Sequence, residues 1–599
     1  MLILGLSTEG DSGAAIVEDG CIVAAVNEER LSRMKLVEGF PRDSIRAVFA
    51  LAGVAGDDLD MVLVGGTMEL FQDELRPFTG WFDHWDHSGI GGAIKRAAGS
   101  FSRYRDRLPL LEPAYYAMLS PSFRRRRRGV ERILRMEFGI DAPVAFADHH
   151  TAHVASAWVT SGFSDALVVS LDGGGDRLSG MVCAVRGGEL EVLHRVPAFH
   201  SLGNYYAYVT HICGFQAMKH EGKITGLAAH GSPRHLDVLR RHIAFEDGTF
   251  VNRGGVVFGG AIRSLARELP SDFRREDLAA SIQVHTEDLV RRFVEHWVDR
   301  TGLGSVAMAG GIFANVRVNE EVHRLHGVER VHVHPHMGDG GLGVGAAMTA
   351  VFPGVAPLRM PHEPERLADA YLGTAISEDD IDAALDRHGL VAERRPADVA
   401  ERVAELLAKG HVVARADGRM EYGPRALGNR SVLYHPTDPR VNDWLNRKLR
   451  RTEFMPFAPV ILAESAAHCF ENTAGAEHAA EFMTITFQCT PWMKRNMPGV
   501  VHLDGTARPQ FVPRRSRNPG LRAILEAFER RTGLPGIINT SFNMHEEPIV
   551  ASADDAVRAF LDGGLDFLLL GDRLIAHPER VRRALEPAVP AEARRRVAG

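Results

Sequence analysis

The chain has 599 residues, a formal net charge of -7, 45% hydrophobic and 25% charged residues. That length accommodates two large domains, the composition is that of a globular enzyme, and the acidic balance gives no general reason to expect a nucleic-acid partner. The five cysteines, at 21, 183, 213, 469 and 489, include no CxxC pair. With neither a signal-like start nor an apolar run of bilayer length, the expectation is a cytoplasmic protein without membrane, zinc-knuckle or disulfide elements.

In chain order, Leu2 to Leu6 is apolar, Ser7 to Gly13 small and polar, and Ala14 to Val17 and Cys21 to Val26 apolar again. The same grammar returns at Ala166 to Leu171, Asp172-Gly173-Gly174-Gly175-Asp176 and Met181 to Val185. Two strand–glycine turn–strand units predict a duplicated fold, and such turns let backbone amides approach a phosphate. Such a pair is similar to the actin-like ATPases, and Val306 to Ala309, followed by Gly310, Gly311 and Asn315, resembles the adenosine-binding turn of that architecture. From about 68 to 135, aromatics that include Phe71, Trp81, Trp85, Phe101 and Tyr115 interrupt the strand grammar and predict a helical insertion. Within it the run Arg124 to Arg128 reads as a solvated helix start or loop. Prolines 353, 357, 361 and 364 place a boundary between domains at 1–355 and 365–575.

Beyond that boundary the pattern is α+β. Helices are expected at 396–409, 438–449, 519–531 and 553–561, and strands at 411–414, 457–462, 482–487, 536–538 and 567–570. The tail from 578 reads as peripheral.

Two constellations carry chemistry. Asp148-His149-His150-Thr151-Ala152-His153 sets His149 and His153 on one helix face, and Asp172 and Asp339 each enter a glycine turn. Two imidazoles and two carboxylates suit a divalent cation. In the second half Arg419, Arg425, Arg430 and Lys448 fall in loops or at helix starts, and Arg508 falls between strands. Guanidinium forks favour phosphate or carboxylate, and Asn539, Ser541 and Asn543 add neutral hydrogen bonds at a strand end. A lone arginine more often pairs with a surface carboxylate, but the turn residues fixed around Arg425 in Gly-Pro-Arg-Ala-Leu-Gly favour function.

His149-His150-Thr151-Ala152-His153, Ser201 to Tyr206, Gly222 to Gly231, Gly423 to Ser431 and Asn539 to Asn543 together resemble the O-carbamoyltransferases of nodulation-factor and antibiotic biosynthesis (the NodU/CmcH type), from about residue 2 to about 570. The resemblance implies an α/β protein: an N-terminal actin-like, ASKHA or TsaD-like, duplicated domain and a C-terminal α+β YrdC-like domain. It implies that the latter turns ATP and carbamoyl phosphate into carbamoyladenylate, with Arg425, Arg508, Ser541 and Asn543 on the phosphates and carbamoyl group. Gly173, Gly174, Gly310, Gly311, Asn315, Arg419, Lys448 and Asn539 complete the expected nucleotide and substrate contacts. His149, His153, Asp172 and Asp339 would hold the metal, Fe2+ by resemblance with Mn2+ or Mg2+ as alternatives. The carbamoyl group then passes to a hydroxyl of a small sugar- or polyketide-type acceptor. No nucleic acid or membrane partner is expected, and a homodimer is left open.

Two departures bear on mechanism. Relatives often carry His-Asp where this chain has Gly10-Asp11, so base duty falls to Asp11, His220, Glu221 or another group, with Glu221 and Lys223 also able to position acceptor or adenylate. Met455 stands where relatives have an arginine. The competing readings are threonylcarbamoyl transfer to transfer RNA, a hydrogenase-maturation carbamoyltransferase, a sugar kinase, and a non-catalytic actin-like nucleotide-gated binding module. A broad basic surface is wanting for the first and zinc-binding cysteine pairs for the second, a kinase needs no second domain, and the arginine-rich site argues against the last.

Overall fold

The computed structural model describes residues 1–78, 111–360, 365–393, 398–450 and 457–580. Three mixed sheets organise the chain. The first contains β1 (Leu2–Ser7), β2 (Gly13–Glu18), β3 (Cys21–Asn27), β4 (Met61–Gly65) and β5 (Val144–Ala147), ordered β3-β2-β1-β4-β5. The second contains β6 (Ala166–Gly175), β7 (Leu178–Arg186), β8 (Glu189–Pro197), β9 (Ser305–Ala309) and β10 (Arg330–Val333), ordered β8-β7-β6-β9-β10. In each, the first strand pairs antiparallel with the second and parallel with the fourth. The two sheets therefore repeat one topology, as the paired strand–turn–strand grammar anticipates.

A helix lies against each sheet where the two meet. Helix α2 (His149–Val159) packs on β6, β7 and β9, and α5 (Leu342–Met348) packs on β1, β2 and β4. The pair touch each other through small residues, since a Cβ on Gly345 would lie 2.3 Å from the Ala152 carbonyl; α5 meets β1 as closely, a Cβ on Gly5 falling 2.0 Å from the Gly343 carbonyl. Glycine permits this approach, which draws the two central turns toward one another.

The insertion is only partly described. Residues 111–138 form helix α1 (Leu111–Phe138), while Trp81, Phe82, Trp85, Phe101 and Tyr104 lie outside the described residues. The basic run lies inside α1 rather than at a helix start or in a loop; Arg124, Arg125, Arg127 and Arg128 are solvated as expected, but Arg126 is 2% exposed. Its guanidinium donates to the Gly66 and Gly65 carbonyls and Thr8 Oγ1, at 2.6, 3.0 and 2.9 Å, and pairs with Glu69 at 2.8 Å. One helical position in five faced inward, and composition alone does not tell which.

The third sheet contains β11 (Val413–Ala416), β12 (Arg430–Tyr434), β13 (Ala458–Leu462), β14 (Gln510–Val512), β15 (Gly536–Ser541), β16 (Phe567–Leu570) and β17 (Arg573–Ala576), ordered β14-β13-β15-β12-β11-β16-β17. The helices Val399–Ala408, Val441–Lys448 (α6), Pro519–Thr532 (α7) and Ala553–Asp562 stand where periodicity puts them. The expected strand at 482–487 does not: Phe482 caps a short helix, Met483 has φ +56°, and only Phe487–Gln488 pairs as strand. Short apolar runs do not discriminate between a strand and a buried turn. Among the described residues no helix is long and apolar enough to cross a membrane.

Candidate functional site

Asp148 caps α2, its carboxylate accepting the Thr151 N–H at 2.9 Å. Helix begins at the next residue, so His149 and His153 stand one turn apart on the same face. Asp172 arrives on β6 and Asp339 from the short turn that leads into α5. His149 Nε2 is 2.8 Å from Asp172 Oδ2 and 3.8 Å from Asp339 Oδ1, and His153 Nε2 is 3.5 and 3.6 Å from the same two atoms. All four donor atoms lie within 4.8 Å of one another. Gly175 makes room for this, since a Cβ there would fall 2.3 Å from the His149 ring. His150 turns aside, its Nδ1 meeting Ser170 Oγ at 2.8 Å.

The electrostatics fit a cation. Burial alone would depress the His149 imidazole, but Glu9 and Asp172 reverse it and hold it well above the ordinary value. Burial would raise Asp172, yet His150, His149 and His153 hold it well below the usual carboxylate range. Asp172 Oδ1 and His153 Nε2 are buried without a hydrogen-bond partner among the described residues. A mixed nitrogen and oxygen donor set with unsatisfied buried atoms suits a divalent ion, which would replace the protons the carboxylates draw onto the imidazoles.

Asp11 lies beside this cluster, in the turn between β1 and β2. His336 Nε2 approaches its Oδ2 at 3.2 Å. The space above Gly10 is taken by Phe78, whose ring carbons would lie 3.0–3.2 Å from a Cβ there. A side chain at position 10 would require that ring to shift by a few tenths of an ångström, and an imidazole reaches Asp11 from the distant segment His334-Pro335-His336. Burial and Glu29 raise the Asp11 carboxyl, with His336 opposing them. Glu221 opens helix α3 (Glu221–Ala228), accepts the Met218 N–H at 2.6 Å, and is raised by burial to about 7. Lys223 stands near Glu546 at 3.9 Å.

The arginines divide. Arg508 lines a cavity of about 210 Å³ between the two halves of the chain, walled also by Thr225, Gln283, Arg317 and Phe457. Burial, then the neighbouring Arg425, depress it well below the ordinary guanidinium value, and burial holds Arg425 down to about 10. Arg425 reaches the Ala314 carbonyl at 3.3 Å, and Nε of both arginines is buried without a partner among the described residues. Two neighbouring, half-buried guanidinium groups of like charge can take an anion between them.

Arg419 and Lys448 do not join them, a correction to the expected convergence. Arg419 donates to the carbonyls of Leu372, Val23 and Gly373 at 2.7, 3.0 and 3.2 Å and rivets backbone. Lys448, on α6, donates to the Gly564 carbonyl at 2.6 Å. The register of β15, β12, β11 and β16 puts that carbonyl near the sheet end opposite Ser541. Arg430 is likewise enclosed by the carbonyls of Asp417, Asn429 and Gly418. Met455 lies outside the described residues.

The remaining expected residues shape rather than crowd the two sites. Asn539 holds the Ala426 carbonyl and Gln510, fixing the loop that carries Arg425. Asn543 donates to the Met544 and Glu547 carbonyls, and Ser541 ends β15. Asn315 caps helix α4 (Val316–His323) and donates to Gln283 at 2.8 Å, at the cavity wall. Gly310 has φ +101°, and a Cβ there would strike the Leu171 carbonyl, while Gly311 faces open space. Gly173 and Gly174 continue β6 past Asp172, Gly173 beside Asn204. Sequence reasoning missed Glu9, His336 and Arg126. Only their nearness to Asp11 and Asp339 in the chain, for the first two, offered a signal.

Residues 2–348 match the family described as carbamoyltransferase N-terminus, and residues 404–577 that described as carbamoyltransferase C-terminus. Over 580 residues the chain is 33% identical to nodulation protein NolNO of Sinorhizobium fredii strain NGR234, covering 94% of this chain and 78% of that protein. It is 29% identical over 624 residues to an uncharacterized protein of Synechocystis sp. strain PCC 6803, covering 97% of each. Among solved structures, component A of the Acidaminococcus fermentans (R)-2-hydroxyglutaryl-CoA dehydratase aligns at 16% identity and a TM-score of 0.31 over 58% of this chain and 96% of its own. With both family regions matched and one third of its residues shared with NolNO over nearly its whole length, the chain belongs to the carbamoyltransferase family and is a transferase enzyme.

Proposed function

We propose that the protein is an ATP-dependent O-carbamoyltransferase working in two steps at two sites. The carrying observation is the half-buried Arg425–Arg508 pair: Arg508 lines the cavity, and neither guanidinium pairs with a carboxylate among the described residues. That environment selects a multiply charged anion, and carbamoyl phosphate with ATP supplies one. In the C-terminal, YrdC-like half these arginines hold the phosphates while Ser541 and Asn543 bind the carbamoyl group, and carbamoyladenylate forms.

The second step belongs to the N-terminal, actin-like half. His149, His153, Asp172 and Asp339 would hold a divalent cation, Fe2+ by family resemblance with Mn2+ or Mg2+ as alternatives, which would supply positive charge to the adenylate phosphate and the departing AMP. Asp11, made more basic by burial and Glu29 and braced by His336, accepts the proton of the acceptor hydroxyl. The hydroxyl oxygen attacks the carbamoyl carbon, and the bond to the AMP phosphate breaks. Helix Leu202–Ile212 links the two sites: Asn204 lies beside Gly173, and Tyr206 meets Thr225 of the cavity wall at 2.9 Å. Transit of the intermediate along this path keeps it from water. The acceptor is a small molecule bearing a free hydroxyl, in line with the nodulation relatives.

Mass spectrometry of protein with ATP and carbamoyl phosphate tests the division. Carbamoyl-AMP forms in the parent, falls by roughly 100-fold or more in Arg508→Ala, and persists in His149→Ala, which fails to carbamoylate an acceptor. Loss in both variants, or in neither, refutes it.

A further inference from the structure

We infer that Glu9 is a positioning residue for His149: its carboxylate holds the Nδ1 edge of the ring and so presents Nε2 to Asp172 and Asp339. This rests on the cation reading of the four-residue cluster and adds to it a residue from outside the ligand set.

Glu9 Oε2 lies 3.1 Å from His149 Nδ1, with the imidazole 1% and the carboxylate 13% exposed. Nε2 of the same ring lies 2.8 Å from Asp172 Oδ2. An imidazole coordinates through a lone pair on one nitrogen only while the other carries the proton, and a carboxylate at that other nitrogen selects the tautomer and stops the ring from turning over. The backbone is fixed as well, because the His149 N–H donates to Asp176 Oδ2 at 2.8 Å. Asp176 also takes the Thr67 and Met68 N–H groups at 2.8 and 2.7 Å, which ties α2 to the segment that follows β4. His149 is thus gripped at its main chain and at its ring.

Glu9 does not stand alone. A Cβ on Gly66 would meet Glu69 Oε1 at 2.1 Å and Glu9 Oε1 at 2.3 Å, so the two carboxylates face one spot. Together with His149 Nδ1 they resemble a second cation site. The buried Arg126 argues otherwise: its guanidinium pairs with Glu69 at 2.8 Å and donates to Thr8, next to Glu9. The positive charge a cation would bring is already supplied by the protein, and it lets two carboxylates stand behind one ligand. This accounts for the single buried residue of the basic run.

Affinity for Co2+, read by competition with a chromophoric chelator, should fall roughly 10- to 100-fold in Glu9→Ala and less in the isosteric Glu9→Gln, whose amide oxygen still accepts from Nδ1–H. A crystal structure of metal-free Glu9→Ala should show the His149 ring turned away from its parent orientation. Parent affinity in both variants with an unmoved ring would overturn the role of Glu9. If the parent itself binds no Co2+, the cation reading falls, and the ring orientation in Glu9→Ala against the parent still decides what Glu9 does.

Discussion

Glu221 shows how a residue's surroundings set its chemistry. Its carboxyl sits at the start of α3, and burial lifts it to about 7 against hydrogen bonds that pull it down. An acid raised in the folded state binds a proton that the unfolded chain has released, so stability is lost as pH climbs from the ordinary carboxylate range through about 7. Glu221→Gln keeps an oxygen for the Met218 N–H and never ionises. Its melting temperature should therefore gain on the parent's between pH 5 and pH 8. A difference that is flat across this range would show that Glu221 is not perturbed. The same logic separates the arginines: Arg419 and Arg430 donate to carbonyls, whereas the charge of Arg425 adds to burial in depressing Arg508.

At the scale of elements, the packing of α2 against α5 positions the cation cluster, since α2 carries both histidines and Asp339 leads into α5. The contact exists because position 345 has no side chain. Gly345→Val drives a branched side chain into the Ala152 carbonyl and should cost about 3 kcal/mol or more, measured by urea unfolding. Gly222→Ala is the comparison, because nothing lies within 4 Å of a Cβ at that helical position. It should be neutral or stabilise by up to about 1 kcal/mol. Equal effects of the two substitutions would mean that close approach is not what glycine supplies at 345.

Across the whole molecule the second and third sheets share one apolar core, which runs from Leu167 to Ile575, while the first sheet packs in neighbouring clusters. Polar ties reinforce it: Asn319 donates to the Thr484 carbonyl at 2.7 Å, Arg30 to the Gly423 carbonyl at 2.7 Å, and Lys219 pairs with Glu546 at 2.6 Å. Arg33 is the most connected, donating to the Ile549 and Pro548 carbonyls at 2.7 and 2.8 Å beside Asp555 at 3.4 Å. A shared core predicts one cooperative thermal transition in the parent. Removing charged hydrogen bonds worth about 1.5–3 kcal/mol each in Arg33→Ala should lower the melting temperature and begin to separate the halves in calorimetry. An unaltered single transition would show that apolar contact alone couples them.

The sequence by itself determined what is local or periodic: the paired strand–glycine–strand units, the helix that sets His149 and His153 on one face, most helices of the second half, and the motifs that mark the family. Spacing of 3.6 or 2 residues and the backbone freedom of glycine are properties of neighbours in the chain. It missed β12, the central strand Arg430–Tyr434, because a charged first residue disguises a segment buried on both faces. Only the tertiary structure decided that Arg126 turns inward, that Phe78 packs against Gly10 while His336 brings an imidazole to Asp11, and that Arg425 neighbours Arg508 while Arg419 and Lys448 donate to carbonyls elsewhere. Each of these depends on which side of an element faces a partner tens or hundreds of residues away, and electrostatic partners are fixed by that distance in space rather than by order along the chain.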